Sequence, residues 1–493
     1  MKIAMLTSEC NPLYKVGGLA DVVYSLSKKL IELGDNVVIV VPYYKNGSTH
    51  FDYEPKKICE YNIFMSWRKQ YVGLYEYKTN GVTFYLIDNE FYFKRDTYYG
   101  WGDDAERYAF FSMAAVEALM AVKFRPDVLH VHDWQVGMVP CYIKERIDSR
   151  TDFYHKTKTV LTIHNPAFKG MMDKYCLNNY YGLNDRLFDN GIVRFDGQVS
   201  TLKSAIAYSN IITTVSPTYR DELLNYSTSQ GFKYCLELRK DDFYGIVNGL
   251  DIEEFDPKTD PFIHRQFNPR SYILGKKQCK ADVLSSLGLL PKEKDKNNPL
   301  VSMVTRLYEQ KGMDLVVQII PELVQRNCFI AILGSGDPYI QQRLEKLRDK
   351  YPNNIALYLG FNNQLAHKLY AGSDLFLMPS LFEPCGIGQM IAQRYGTLPI
   401  VRETGGLKDT VVGYNPISNN VKKANGFSFI DYDLNGLRYA CNVALDTYYN
   451  NVEAFRTIIH NAINLDRGWE NSAKKYQEIY RKALLKWVIT TSK

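Results

Sequence analysis

Short apolar runs separated by longer stretches of helical spacing dominate the chain. The first run, KIAMLTS (Lys2–Ser8), is followed by a polar bend and then by a helical stretch from about Leu19 to Leu33. Gly34 supplies a helix stop, and NVVIVVP follows as a second strand. VTFYLID, DVLHVHD, KTVLTIHN, NIITTVS and YGIVNG predict further strands. From Asp251 to Pro299 the sequence turns polar and proline-bearing, holds no long strand, and ends in KEKDKNNP. The alternation then restarts with LVSMVTRL, a helix near Met313 to Gln325, and CFIAILGSG, followed by NIALYLG, DLFLMPS, TLPIV and GFSFI. Alternating strands and helices are the pattern of parallel α/β units. The restart predicts two doubly wound α/β domains facing across a cleft, with their connection in the 245–299 region. The first is expected to span 1–245 and to be joined by a C-terminal helix at about 475–493; the second, 246–474. In such sheets ligands bind beyond the carboxyl ends of the strands.

Composition narrows the class. With 46% apolar and 23% charged residues over 493 positions, the chain reads as an ordinary soluble globular protein. The net charge of +6 comes without a basic block or a basic–aromatic stripe, which argues against nucleic acid as the main partner. A mild positive balance suits an anionic small substrate. Nine cysteines, an odd number without CxxC spacing, predict a reduced, cytoplasmic chain. The N-terminal apolar run is broken by Glu9 and is too short for a signal-peptide core. No run approaches the length of a membrane span.

A doubly wound fold invites a dinucleotide, but the residues argue against one. KVGGLADVV lacks GxGxxG, and the second strand ends in Pro42 and tyrosines with no acid for a ribose hydroxyl. LGSGDPYI offers Gly334 and Gly336, but Tyr339 stands at the third glycine position. Asp431 and Asp433 have the spacing of a metal-binding DxD pair, and equally that of a solvated loop.

Other stretches fall at predicted strand ends, where chemistry is expected. In KVGGLADVV, Lys15 precedes a glycine pair at a helix mouth. The stretch reads as a cradle for a phosphate or a polar sugar, or as a βα turn with a solvated lysine. VHDW and TIHNPAFKG bring His132 and His164 to strand ends; a lone histidine there is a ligand contact or a structural residue, and His132 is the weaker case. Arg306 and Lys311, five residues apart, place two cations where a pyrophosphate leaving group could gather charge; the alternative is an ordinary surface pair. Glu383, before Pro384 and the Cys385–Gly386 turn, suits sugar hydroxyls while the amides of Ile387 and Gly388 receive phosphate, or else caps the helix that follows.

KVGGLADV, HVHDW, TIHNPAFKG, TTVSPTY, IVNGLD, TRLYEQKG, GSGD, LYAGSDLFLMPSLFEPCG and RYGTLPIVRETGGLKDT occur in this order along nearly the whole chain. In this they resemble the bacterial glycogen synthases and plant starch synthases, retaining glucosyltransferases with two Rossmann-like domains (the GT-B fold). The resemblance implies transfer of glucose from ADP-glucose to the non-reducing 4-hydroxyl of an α-1,4-glucan, with neither cofactor nor metal. It implies that Lys15, His164, Arg306, Lys311 and Glu383 carry the chemistry, with Arg306 and Lys311 on the pyrophosphate, Glu383 on glucose hydroxyls and His164 sheltering the reacting centre. Gly18, Asp21, Tyr99, Asn248, Gly334, Ile387 and Gly388 would bind the donor, and Phe361 would stack on its base. Asp133, Trp134 and Asn165 would shape the glucose and acceptor side. Two positions depart from some members: Phe361 stands where others carry tyrosine, and Gly388 where others carry threonine. A transferase using a UDP-sugar and a small acceptor, and a glucan-binding protein without turnover, are the competing classes.

Overall fold

The computed structural model describes residues 1–45, 51–225 and 228–486. It divides into two compact units: Met1–Gly249 with Trp469–Lys493, and Leu250–Gly468.

In the first unit a nine-stranded sheet has the order β12-β11-β7-β6-β1-β2-β5-β4-β3. Its strands are β1 (Lys2–Leu6), β2 (Asn36–Pro42), β3 (Lys56–Met65), β4 (Arg68–Thr79), β5 (Val82–Asp88), β6 (Val128–His132), β7 (Lys158–Ile163), β11 (Ile211–Thr214) and β12 (Phe243–Gly245). A small sheet of β8 (Met171–Met172), β9 (Arg194–Phe195) and β10 (Gln198–Ser200) stands apart. The strands from β12 to β5 pair in parallel. They read as unbroken apolar runs because helices cover both faces; every residue of KTVLTI in β7 is buried. The predicted runs end there. The antiparallel strands β3 and β4 extend the sheet beyond β5, and β3 alternates exposed and covered residues instead of burying all of them.

The second unit is built on a six-stranded sheet, β15-β14-β13-β16-β17-β18, parallel throughout. Its strands are β13 (Leu300–Val304), β14 (Phe329–Gly334), β15 (Ile355–Leu359), β16 (Leu375–Met378), β17 (Leu398–Arg402) and β18 (Phe427–Phe429). The two-residue period of a strand feeds two cores. Ile330 and Ile332 of β14 join the helix Met313–Gln325 on one face. Phe329, Ala331 and Leu333 join the helices Tyr272–Ser286 and Asn363–Gly372 on the other.

Two expectations are corrected here. The 245–299 region is not mainly a connection, because the helix Tyr272–Ser286 is one of the packed layers of the second unit. The C-terminal helix begins at Trp469 rather than near 475 and runs to Leu485; residues 487–493 of that prediction lie outside the described residues. The unit boundaries accordingly fall at Gly249/Leu250 and Gly468/Trp469.

Among the parallel strands of the two large sheets, the chain leaves neighbouring strands in opposite directions at β1 and β6 in the first unit, and at β13 and β16 in the second. Chains leaving neighbouring strands in opposite directions open a crevice at their carboxyl ends, which is where open α/β sheets bind ligands.

Candidate active site

The reversal point of the first sheet gathers the loops that follow β1 and β6. Beyond β1 the chain runs through Glu9 to the exposed tip Lys15–Gly18 and into the helix Gly18–Glu32. Glu9 is buried, and one of its oxygens, Oε2, accepts the amides of both Val16 and Gly17, the latter at 3.2 Å. The Gly17 amide is therefore committed to a side chain. Burial pushes the Glu9 carboxyl up to about 7, against the pull of those two amides. Lys15 forms an ion pair with Asp21 at 2.9 Å, and Asn11 donates to the same Asp21 oxygen. The tip lysine and the helix acid, predicted separately as phosphate and donor contacts, are thus brought together. A Cβ added at Gly18 would meet nothing within 4 Å.

Asp133 follows β6 with φ +59°, a left-handed conformation that costs a non-glycine residue energy and is held only where its surroundings dictate it. What holds it is the neighbouring strand end: its buried carboxylate accepts the amide of His164 at 2.7 Å and that of Asn165 at 3.5 Å. Burial lifts its carboxyl to about 7. His164, first residue beyond β7, has its Nε2 3.1 Å from Nδ1 of His132. Desolvation depresses its imidazole to about 3, so it stays neutral through the physiological range. Asn165 turns back to accept the amide of Ala167 at 3.0 Å. Trp134 packs edge-on against Tyr108 with ring centroids 5.3 Å apart. Together with Phe168, Met172 and Tyr181 these rings line a cavity of about 360 Å³. Tyr99 shares a 2.8 Å hydrogen bond with Ser8, just beyond β1. Asn248 is buried, and its Oδ1 has no hydrogen-bond partner among the described residues.

In the second unit the reversal point lies between the loops after β13 and β16, and it carries the strongest polar pair. Lys311 Nζ donates to Glu383 Oε2 at 2.6 Å, and Ser380 Oγ donates to the same oxygen at 3.1 Å. Both side chains are largely out of water. Glu383 does not cap the helix Gly388–Arg394, whose N-cap residue is Ile387 with no side-chain cap bond. Its loop is held from behind by ETGG. A Cβ at Gly405 would stand 2.0 Å from the carbonyl oxygen of Glu383, and one at Gly406 would stand 2.1 Å from that of Cys385. Only glycine lets the two backbones touch. Arg306 stays apart from this pair: it is exposed, and its side chain has no partner among the described residues.

The remaining predicted donor residues lie on other strand ends or loops. Phe361, after β15, is exposed, and Ile387 is partly so. A Cβ at Gly388 would meet the Phe376 ring at 3.2 Å, so a larger residue there would be steered along the core wall. At Gly334 a Cβ would stand 1.8 Å from the Thr305 carbonyl, so this glycine is required by strand packing. Asp433 accepts the amide of Gly436 and caps the helix Leu434–Asn450, a structural use of that side chain. Among the described residues no cluster of three or more His, Cys, Asp or Glu side chains is arranged to hold a metal ion, and no helix is long and apolar enough to cross a membrane.

Glu9 and His132 are the site residues that sequence reasoning missed or discounted. Glu9 stood in the sequence only as the polar residue ending an apolar run. Its signal was a carboxylate eight residues before a glycine pair, which gains meaning only once the loop is folded.

Comparison with known proteins follows the same division. The starch synthase catalytic domain profile matches residues 2–237, and the glycosyl transferases group 1 profile matches residues 291–433. A glycogen synthase from Clostridium beijerinckii is 42% identical over 481 residues, covering 98% of this chain and 99% of its own. One from Geobacillus stearothermophilus is 40% identical, covering 99% and 98%. Among solved structures, the catalytic domain of starch synthase IV from Arabidopsis thaliana, bound to ADP and acarbose, matches with a TM-score of 0.89. That match has 31% identity and covers 98% of this chain and 99% of the other. Sucrose-phosphate synthase from Thermosynechococcus elongatus shares the fold at a TM-score of 0.59 and 16% identity, covering 98% of each chain. With its motifs on the strand ends and full-length relatives at this identity, the chain belongs to the glycogen and starch synthase family of GT-B glycosyltransferases.

Proposed function

We propose that this protein is a glucosyltransferase that moves glucose from ADP-glucose to the non-reducing 4-hydroxyl of an α-1,4-glucan, with retention of configuration and without a metal. The observation that carries the reading is the Ser380–Glu383–Lys311 cluster at the reversal point of the second sheet, in a chain of this family.

Breaking the glucose–phosphate bond leaves an oxocarbenium-like carbon and a pyrophosphate anion. The largest catalytic contribution is then electrostatic, from cations fixed where that anion forms. Arg306, exposed and without a side-chain partner among the described residues, is open to the pyrophosphate. Lys311 is held by Glu383, so its charge is positioned before the substrate arrives. The same carboxylate keeps accepting capacity for sugar hydroxyls, since Lys311 and Ser380 both donate to Oε2. The amides at Ile387 and Gly388 serve phosphate oxygens, and Phe361 offers its exposed ring to the base.

The first unit supplies the sugar and acceptor groups: His164 and Asn165, held by Asp133, and the aromatic cavity beside Trp134, whose ring walls suit the apolar faces of glucose units. Asp21, Tyr99 and Asn248 assist the donor, and Lys15 adds charge once a phosphate competes with Asp21 for its ammonium. The acceptor hydroxyl attacks on the face the leaving group vacates, and the departing phosphate takes its proton. Nine cysteines, all unpaired, support a cytoplasmic location.

The test is transfer of labelled glucose to glycogen from ADP-glucose and from UDP-glucose. The expected result is a clear preference for ADP-glucose and a product cleaved by an α-1,4-specific amylase. Equal or better efficiency with UDP-glucose overturns the donor assignment, and donor binding without transfer overturns the enzyme.

A further inference from the structure

Three imidazoles lie in a row, from His130 in the middle of β6 through His132 at its end to His164 just beyond β7. His130 and His132 overlap with centroids 4.1 Å apart, and His132 and His164 follow at 5.4 Å. The direction of each hydrogen bond around them fixes where the ring protons sit.

The deep end of the row is anchored by a carbonyl, which can only accept. Thr213 Oγ1 donates to the Leu161 oxygen at 3.2 Å. It therefore accepts from Thr162 Oγ1, 2.6 Å away. Thr162, having spent its proton, accepts from His130 Nε2 at 2.6 Å. His130 is thus the Nε2–H tautomer, and its Nδ1 accepts from the Tyr480 hydroxyl at 2.9 Å.

His132 has one nitrogen with a partner and one without. Its Nε2 is buried and has no hydrogen-bond partner among the described residues. Its Nδ1 lies 3.1 Å from His164 Nε2. A neutral ring carries one N–H. Placed on Nε2, that proton would be a buried donor with no acceptor, the costlier defect; placed on Nδ1, it makes a bond and leaves only a bare lone pair behind.

We propose that His132 is a positioning residue whose Nδ1–H donates to His164 Nε2 and fixes His164 as the Nδ1–H tautomer, so that His164 presents a hydrogen-bond donor to an oxygen of its ligand. One further contact keeps His164 in place: Asp133 accepts its backbone amide. The His164 Nδ1 makes no hydrogen bond with any described residue, so its proton is available to a ligand. Burial depresses His130 and His164 to about 3 and His132 well below its ordinary value, so the row stays neutral and no second ring proton disturbs the order. The tautomer assignment stands on these contacts alone; its kinetic consequence rests on the proposed role of His164 at the sugar.

Histidine-¹⁵N-labelled protein distinguishes the two. In a two-bond ¹H–¹⁵N correlation at pH 7.5, His164 is assigned by its absence from His164→Gln. The expected pattern is a pyrrole-type Nδ1 and a pyridine-type Nε2. A protonated Nε2 on His164 overturns the proposal. His132→Leu fills the space but cannot donate, and is expected to release His164 to a mixture of tautomers and to lower turnover by about tenfold or more. His132→Asn places an amide N–H where Nδ1–H stood, and is expected to restore both the nitrogen pattern and most of the turnover. Equal losses in the two variants, tracking their unfolding midpoints, would mean a packing role only and also overturn the proposal. Full turnover in His164→Gln would instead remove His164 from the sugar site, with the tautomer still decided by the nitrogen signals.

Discussion

A carboxylate and an ammonium 2.6 Å apart, both largely out of water, fix each other's position, and neither tolerates the loss of its partner. Arg306 is exposed and has no such dependency. The two cations assigned to one pyrophosphate therefore separate by experiment. Arg306→Ala and Lys311→Ala are each expected to lower turnover by roughly 10²-fold or more. The double variant should lose less than the product of the two if both charges serve the one group proposed for them. Only Lys311→Ala should also lower the thermal unfolding midpoint, since it strands Glu383 without its cation. Steady-state rates beside a melting curve decide the matter: near-normal turnover in either variant, or an equal drop in midpoint for both, refutes the assignment. Glu383→Gln keeps the size of the side chain but loses the charge that holds Lys311. It is expected to fold and to transfer glucose at least about 10²-fold more slowly. The residue types at these positions were legible in the sequence. Their pairing was not, because Lys311 and Glu383 lie 72 residues apart and meet only through the strand order.

At the scale of elements, the Val16–Gly17 tip of the loop between β1 and the helix Gly18–Glu32 is held by a single oxygen. Glu9 Oε2 receives both the Val16 and the Gly17 amide, so a neutral carbonyl oxygen can replace it. Glu9→Gln should keep the loop and remove a titration. The Glu9 carboxyl sits near 7 in the folded protein against an ordinary 4.5. The folded state therefore binds the proton more tightly, and this contribution to stability is complete below about 4.5 and lost as pH rises through 7. The stability of the wild type relative to Glu9→Gln is expected to fall by about 2–3 kcal/mol between pH 4.5 and 8. The depressed histidines give the opposite slope below their ordinary 6.5, but they are shared by both proteins and cancel in the difference. Urea unfolding followed by tryptophan fluorescence reads this unit specifically, because Trp67, Trp101, Trp134, Trp469 and Trp487 all lie outside 250–468. A flat difference across that range removes Glu9 as the loop's titrating anchor. Elements also show where sequence patterns fail. The parallel strands were visible as apolar runs, whereas the β3–β4 pair alternates at the sheet edge and offers no run. The helix Tyr272–Ser286 was hidden because its buried face carries lysines. Lys276 donates to the Ala371 and Tyr395 carbonyls and to Thr397, and Lys280 pairs with Asp374 at 2.6 Å. A hydrophobic pattern cannot announce a face satisfied by hydrogen bonds.

The whole molecule is threaded so that one unit is continuous in sequence and the other is not. The second unit, Leu250–Gly468, carries its complete six-stranded sheet and both flanking cores. The first is completed only by the final helix, which returns after 468 to make specific contacts. Trp469 lies against Gly249, where a Cβ would come within 2.6 Å of the Trp469 Cα. Ser472 donates to the Val247 carbonyl at 2.6 Å, Gln477 to Asp35 at 2.7 Å, and Tyr480 to the buried His130. Without this helix, Tyr480 and Tyr476 leave a flank of the histidine row exposed, and His130 loses the partner that orders it. The two units should therefore answer differently to truncation. A protein ending at Gly468 is expected to lose the cooperative unfolding transition of its first unit, read from Trp67, Trp101 and Trp134. It should retain that of the second, read from far-ultraviolet circular dichroism. Residues 250–468 expressed alone are expected to fold cooperatively and to bind ADP by calorimetry, with no transfer to glycogen. A native tryptophan transition in the truncated protein would show that the last helix is an accessory to the first unit. An unfolded 250–468 fragment would show that continuity in sequence does not confer independence here.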